Sequence, residues 1–245
     1  LPFFALPLLR LAGVKHVVIA GDEKLSNAFV SFYGDYDPYI PIRELSKKAL
    51  ELIGCKNPDF HKKFYITEEN KLKAAKILSD RFKGKCNKEF LFFNPEGSEK
   101  HRCFSFQHIL EILKALHINF PKHSIVVSNY KKNFPDLPEE FCEYSYVIHI
   151  NDISLLISVM EQASVIVSVD TSTVHIADVL DKPLVAIYSA KYLSNGKKID
   201  PPETRWHSPR SSTVNLYSDD INDISPEIIA DSMAESFSKT NAAGN

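Results

Sequence analysis

At 245 residues, with 44% hydrophobic and 24% charged side chains, the chain has a globular composition and can bury a substantial core. Its 29 basic and 31 acidic residues leave a net charge of −2, which argues against broad, charge-driven binding of nucleic acid. Four widely spaced cysteines (Cys55, Cys86, Cys103, Cys142) without a CxxC pair argue against a zinc site or disulfide scaffold and fit reduced thiols in a cytosolic enzyme.

Residues 1–14 are apolar but broken by Pro2, Pro7 and Arg10, and they lack the basic start and cleavage site of a signal peptide. No apolar run approaches the roughly 20 residues needed to cross a bilayer. The sequence opens on Leu1 rather than Met, as a segment of a longer product would. Residues 14–20, VKHVVIA, followed by Gly21 and Asp22, predict one strand and its turn, and residues 42–53 and 68–82 predict helices. This is too little for a complete α/β domain. We read residues 1–67 as the tail of one, joined by a helix and linker over 68–88 to a second domain over 89–245.

From residue 90 the pattern is regular. FLFFN (90–94) is a buried strand ending in Asn-Pro, and Ile109, Leu110, Ile112, Leu113 and Leu116 form a helical stripe within 106–116. SIVVS (124–128) and YVIHI (146–150) are the next strands. A helix over 153–163 has Asn151 or Asp152 available as its N-cap. VIVSV (165–169) is a β-branched strand ending at Asp170. A short helix over 173–180 and a strand LVAIY (184–188) follow, and Ser225-Pro226-Glu227 opens a last helix. Strands apolar throughout, alternating with helices, predict a doubly wound α/β domain with a parallel sheet covered on both faces. Such domains bind ligands beyond the carboxyl ends of their strands, which directs attention to residues 94–102, 128–132, 150–153, 170–175 and those from 189 onward.

Two of these segments can carry chemistry. In VDTSTVH (169–175) a strand runs into a helix with hydroxyl residues at the junction. The amides of a helix N-terminus attract anions, the hydroxyls add donors, and His175 in the first turn can donate to a phosphate or sugar oxygen, so this junction could hold a diphosphate. The alternative is that Thr171 or Ser172 simply caps the helix and His175 lies at the surface. In NPEGSEKHR (94–102), Gly97 permits close backbone approach, Ser98 offers a hydroxyl, and Lys100 and Arg102 offer positive charge. A cation there would stabilise the charge that develops on a departing diphosphate. The alternative is a solvated, charged loop.

Together the NPEGS…K/R loop and the later run VSVDTSTVHIADVLDKPLVAIYS resemble the C-terminal domain of glycosyltransferase family 9, the heptosyltransferases. Asp170, Thr171, Ser172, His175, Ala177, Lys182, Pro183, Val185 and Tyr188 match that family's pattern. Trp206 and Pro209 resemble its downstream Trp-x-Pro element with one residue extra. LLRLAGVKHVVIAGD resembles an element late in the family's N-terminal domain, so the likeness covers most of the chain. It implies a two-domain GT-B fold with an incomplete N-terminal domain and a Rossmann-like nucleotide-sugar-binding domain over 89–245. It further implies an inverting, metal-independent transfer of a sugar, heptose foremost, from a nucleoside-diphosphate donor such as ADP-heptose to a lipopolysaccharide or lipooligosaccharide core acceptor.

No cofactor is implied, and localisation would be cytoplasmic with peripheral contact to the inner membrane. By the same likeness Arg102, or alternatively Lys100, and His175 stabilise the leaving group. Gly97 and Ser98 cradle phosphate, Asp170, Thr171, Ser172, Thr173 and His175 contact the donor, and Ile153 packs against the nucleobase. The family's catalytic base would fall before Leu1.

The sequence departs from the family at Glu96, where a small or hydroxyl residue is usual, and in the loop 128–132, which lacks an acidic residue for the donor ribose. No DxD metal pair stands at a strand end of the donor domain. Asp35 and Asp37 have the spacing but lie in the poorly matched part, and Asp219-Asp220 falls in a late polar loop. His16, His101, Lys47, Lys48, Lys62 and Lys63 read as surface positions, and Asp22 as a structural turn. Two rivals are a non-catalytic nucleotide-sugar-binding remnant and a dinucleotide-dependent oxidoreductase; the second lacks a GxGxxG after any strand.

Overall fold

The computed structural model describes residues 18–20, 32–34, 51, 64–82, 89–129, 134–189, 208 and 212–243. The readings made for His16, Asp22, residues 35–37, Lys47, Lys48, Lys62, Lys63, residues 130–132, Trp206 and Pro209 lie outside the described residues. So does the helix expected over 42–53, apart from Glu51, which is helical. The chain divides into two compact units, Leu1–His61 with Thr204–Trp206, and Lys62–Glu203 with His207–Asn245. In the first, strands β1 (Val18–Ala20) and β2 (Phe32–Gly34) pair in parallel.

The second unit begins with helix α1 (Glu68–Phe82). Thr67 accepts the Asn70 amide, Glu68 and Glu69 fill the first turn, and both glutamates pair with lysines one turn on. Ala74, Leu78 and Phe82, spaced four apart, form its buried stripe. Six parallel strands follow: β3 (Phe90–Asn94), β4 (Ser124–Asn129), β5 (Ser145–His149), β6 (Val165–Val169), β7 (Leu184–Ser189) and β8 (Thr213–Ser218). Helices α2 (Phe106–Asn119), α3 (Ile153–Gln162), α4 (Ser172–Val179) and α5 (Pro226–Ala243) cover them.

Alternate residues of each strand serve opposite faces. Leu91, Phe93, Ile125, Val127, Val165 and Val167 pack with Ile112, Leu113 and Leu116 of α2 and Ile229 and Met233 of α5. Phe90, Phe92, Val126, Ile166, Leu184 and Ala186 pack with the stripe of α1, Ile157 and Met160 of α3, and Val174 and Ala177 of α4. Phe90 to Phe93 are at most 2% exposed, which is why these strands read as apolar without alternation. The doubly wound parallel sheet expected from the sequence is therefore present.

The strand order is β5-β4-β3-β6-β7-β8. From β3 the chain winds outward through β4 to β5, then returns to lay β6 against the other side of β3. The crossovers diverge between β3 and β6, which is where a doubly wound sheet leaves a crevice at the carboxyl ends of its strands. The segments after those two strands are 94–102 and 170–175.

Strands β2 and β8 are not expected from the sequence, and helix α4 starts earlier than expected. Strand β8 does not read as a strand in sequence. It lies at the sheet edge with one neighbour, and most of its side chains are only half-buried, so Asn215 and Ser218 are tolerated and no apolar run marks it. Helix α4 begins one residue early, at Ser172, with Thr171 as its cap.

Candidate functional site

The loop leaving β3 is closed upon itself. Glu96 and Cys103 form an antiparallel bridge. The Gly97 amide donates to the Arg102 carbonyl (2.9 Å), the Phe104 amide to Pro95 (3.1 Å), and the Arg102 amide to Glu99 (2.9 Å). The Cys103 thiol donates to the Gly97 carbonyl at 3.3 Å. A short 3-10 turn, Lys100–Arg102, results, and it holds Arg102 at the crevice rather than on a loose arm. The close approach that Gly97 permits is to Arg102 itself. A Cβ on Gly97 would lie 2.7 Å from the Arg102 Cβ and 3.0 Å from its carbonyl oxygen. Since the Gly97 amide is already engaged, the glycine serves the loop chiefly by seating the arginine.

Across the crevice, β6 ends at Val169 and Asp170 turns the chain into α4, with its amide donated to the Ile187 carbonyl (2.8 Å). Thr171 is the N-cap in extended conformation, and its Oγ1 accepts the Thr173 amide (3.2 Å). The Val174 amide goes to the Thr171 carbonyl. Two of the first-turn amides are thus satisfied by the cap, so an anion at this end meets the helix dipole, the exposed Ser172 and the neighbouring cations.

Asn94, to which the sequence assigned no role, joins the two segments. It is 4% exposed, and its Nδ2 donates to Ser168 Oγ (3.1 Å) and Thr171 Oγ1 (3.0 Å). The parallel register places Asn94 opposite Ser168 at the ends of β3 and β6. The Asn-Pro step after the strand was the only sequence signal that could have pointed to it.

The charges converge at the same corner. Arg102 Nη1 lies 3.5 Å from Asp170 Oδ2, and Arg102 Nη2 lies 3.7 Å from Glu99 Oε1. The Asp170 side chain is 21% exposed and that of Arg102 31%, so water reaches both incompletely. Burial pushes the Asp170 carboxyl above its ordinary value, against the opposing pull of Arg102, His175 and His101. Tyr188, fully buried on β7 and stacked on Tyr217 at 5.2 Å, has its hydroxyl pushed well up, chiefly by burial and further by the Asp170 charge.

Of the residues singled out in the sequence, Asp170, Thr171 and Arg102 meet at the crevice. Ser98, Lys100, Ser172 and His175 are exposed around it, and Gly97 and Thr173 are buried. Ile153 opens α3 beyond the end of β5 and is 52% exposed, its N-cap being Asp152 rather than Asn151. Glu96 keeps one carboxylate oxygen buried without a hydrogen bond. Asp220 caps the turn Ile221–Asp223. A groove of about 400 Å³ lined by Ile77, Asp80, Arg81, Ile148, His149 and Ile150 lies against edge strand β5, two strands from the crevice. Among the described residues no helix is long and apolar enough to cross a membrane.

Comparison with known proteins bears out the family resemblance and the fold. Residues 42–201 match the family model described as glycosyltransferase family 9 (heptosyltransferase). A relative from Escherichia coli (strain K12), named "Putative lipopolysaccharide heptosyltransferase 4", is 22% identical over 199 residues, covering 76% of this chain and 52% of its own length. The chain therefore spans about half of that curated relative. Two solved structures share the fold. A glycosyl transferase family 9 protein from Veillonella parvula DSM 2008 superposes with TM-score 0.73 at 12% identity, over 96% of this chain and 70% of its own. The ADP-heptose lps heptosyltransferase II of E. coli superposes with TM-score 0.71 at 14% identity, over 98% of this chain and 75% of its own.

Proposed function

The chain belongs to glycosyltransferase family 9, and on that premise we propose that it forms the nucleotide-sugar-binding half of an inverting sugar transferase. The donor is a nucleoside-diphosphate sugar, with ADP-heptose the leading candidate. The acceptor is the saccharide core of a lipopolysaccharide or lipooligosaccharide, met in the cytoplasm at the face of the inner membrane. The E. coli relatives bear heptose and lipopolysaccharide in their names, which supports this choice.

The observation that carries the reading is the meeting of Arg102, Asp170 and the Thr171-capped start of α4 at the point where the strand order reverses. A diphosphate placed there lies against the positive end of a helix and beside a fixed guanidinium. In the transfer, the acceptor hydroxyl attacks the anomeric carbon while the bond from that carbon to the diphosphate oxygen breaks. The electron pair leaves with the diphosphate. Arg102, with Lys100 and His175, faces that growing charge, so protein cations take the role that a metal ion plays elsewhere. In this reading the Asp170 carboxyl hydrogen-bonds to sugar hydroxyls, and Ile153 lends an apolar surface to the base.

Calorimetric titration with ADP-, UDP-, GDP- and CMP-linked sugars tests this directly. The wild-type protein should bind one class, and Arg102→Ala should weaken it about 10- to 150-fold, the worth of one hydrogen bond to a charged group. Asp170→Ala and His175→Ala should lower affinity or transfer with the fold retained, and transfer should survive a chelator. Unchanged affinity and transfer in all three variants would remove this corner from consideration. Binding without transfer by the whole protein would instead favour a non-catalytic nucleotide-sugar-binding role.

A further inference from the structure

We propose that the donor diphosphate displaces Asp170 from Arg102 and leaves the Asp170 carboxyl protonated, so that the site takes up a proton together with its ligand. This rests on the assignment of Arg102 to the diphosphate made above.

Without ligand, Arg102 is already shared between two carboxylates, Asp170 at 3.5 Å and Glu99 at 3.7 Å. A diphosphate entering the corner must therefore compete for an occupied cation. Glu99, 56% exposed, can swing into water when it loses the arginine. Asp170 cannot move away so readily. It sits between the end of β6 and the Thr171 cap, and its amide is tied to Ile187. Its carboxylate would be left partly buried beside a second anion.

The other groups acting on it do not neutralise it. His101 on the Lys100–Arg102 turn and His175 on α4 draw it toward the ionised form only to the extent that they are protonated. Tyr188 on β7 holds its proton because its hydroxyl is pushed well up. Burial already outweighs the pull of Arg102 on Asp170. Loss of that pull and arrival of a doubly charged diphosphate diester act in the same direction. The balance is simple: a solvent proton bonds to Asp170 Oδ, the Arg102 N–H groups donate to phosphate oxygens, and no other bond changes.

The test is calorimetric titration of ADP-glucose, or of whichever nucleotide sugar binds best, in buffers of different ionisation enthalpy. These diphosphates carry no titrating group of their own between about pH 5.5 and 8. The wild-type protein should take up a fraction of a proton that grows toward acid pH. Affinity should fall with rising pH, by at most about tenfold per unit, the limit for one linked proton. With His101→Gln and His175→Gln combined, so that no imidazole beside the site can take the proton, uptake should persist, and adding Asp170→Asn should abolish it. Absence of uptake in the wild type, its loss in the combined histidine variant, or its persistence once Asp170→Asn is added would each overturn the proposal. If Asp170→Asn does not bind, infrared difference spectra of the wild type decide. A carboxylic-acid carbonyl band must appear with ligand, and its absence refutes the idea. Failure of every nucleotide sugar to bind sinks this proposal and the donor-site assignment together, whereas binding with no linked proton sinks this one alone.

Discussion

Gly97→Ala is the most informative single substitution, because one added methyl group acts on stability and on the site by separable routes. The new Cβ would lie 2.7 Å from the Arg102 Cβ and 3.0 Å from the Arg102 carbonyl oxygen. Carbon atoms rest about 3.5–4.0 Å apart, so the two loop arms must part by about 1 Å. The neighbouring atoms are backbone or fixed to it, and the Gly97–Arg102 hydrogen bond (2.9 Å) resists the separation. Overpacking of this kind costs about 1–3 kcal/mol, or about 2–12 °C in Tm for a domain of this size. Displacing the guanidinium by a similar distance removes it from Asp170 and from the proposed phosphate, weakening donor binding about 10- to 150-fold.

A double-mutant cycle separates the two effects. Arg102→Ala keeps the Cβ and carbonyl that collide with the new methyl, so Gly97→Ala should still lower Tm in that background. It should no longer weaken binding, because the guanidinium is already gone. Differential scanning calorimetry and nucleotide-sugar titration on the four proteins give both readouts. Additive losses of affinity, or a Gly97→Ala protein as stable as wild type, would refute the account of how this loop is built.

Three further outcomes are expected. Asn94→Ala removes two hydrogen bonds from a side chain that is 4% exposed. It should destabilise by about 1–3 kcal/mol in urea denaturation and weaken donor binding through the Thr171 cap. Asp170→Asn should raise Tm at neutral pH, since the fold disfavours the ionised carboxyl, with the difference closing as pH falls below about 4 and Asp170 becomes protonated in both states. Burial holds the His123 imidazole below its ordinary value; the Glu89 carboxylate, 3.3 Å away but not aligned as a hydrogen bond, only partly offsets this. The unfolded chain then takes the proton more readily, so stability should drop as pH falls below about 6.5 and through the folded value. His123→Phe, which suits the edge-on packing with Phe120 and Phe237, should flatten that decline in Tm.

Local sequence was enough to locate most elements of the second unit. Runs such as FLFFN and VIVSV mark strands buried on both faces, and stripes at helical spacing mark the helices that cover them, because both patterns record which side of a short segment meets water. It also marked the two segments of the candidate site, through the residues that follow β3 and β6. What it could not supply was adjacency. Nothing within NPEGSEKHR shows that β6 returns to the side of β3, that Asn94 reaches Thr171 77 residues away, or that Arg102 meets Asp170. Nor does it show that the space beside Gly97 belongs to Arg102. Strand β8 escaped for a related reason, since an edge strand is stabilised by its one neighbour, β7, more than by its own composition. Propensity and periodicity act over a few residues, whereas strand order and the pairing of buried polar groups are settled by packing the whole sheet, and that packing turned two ordinary loops into one charged corner.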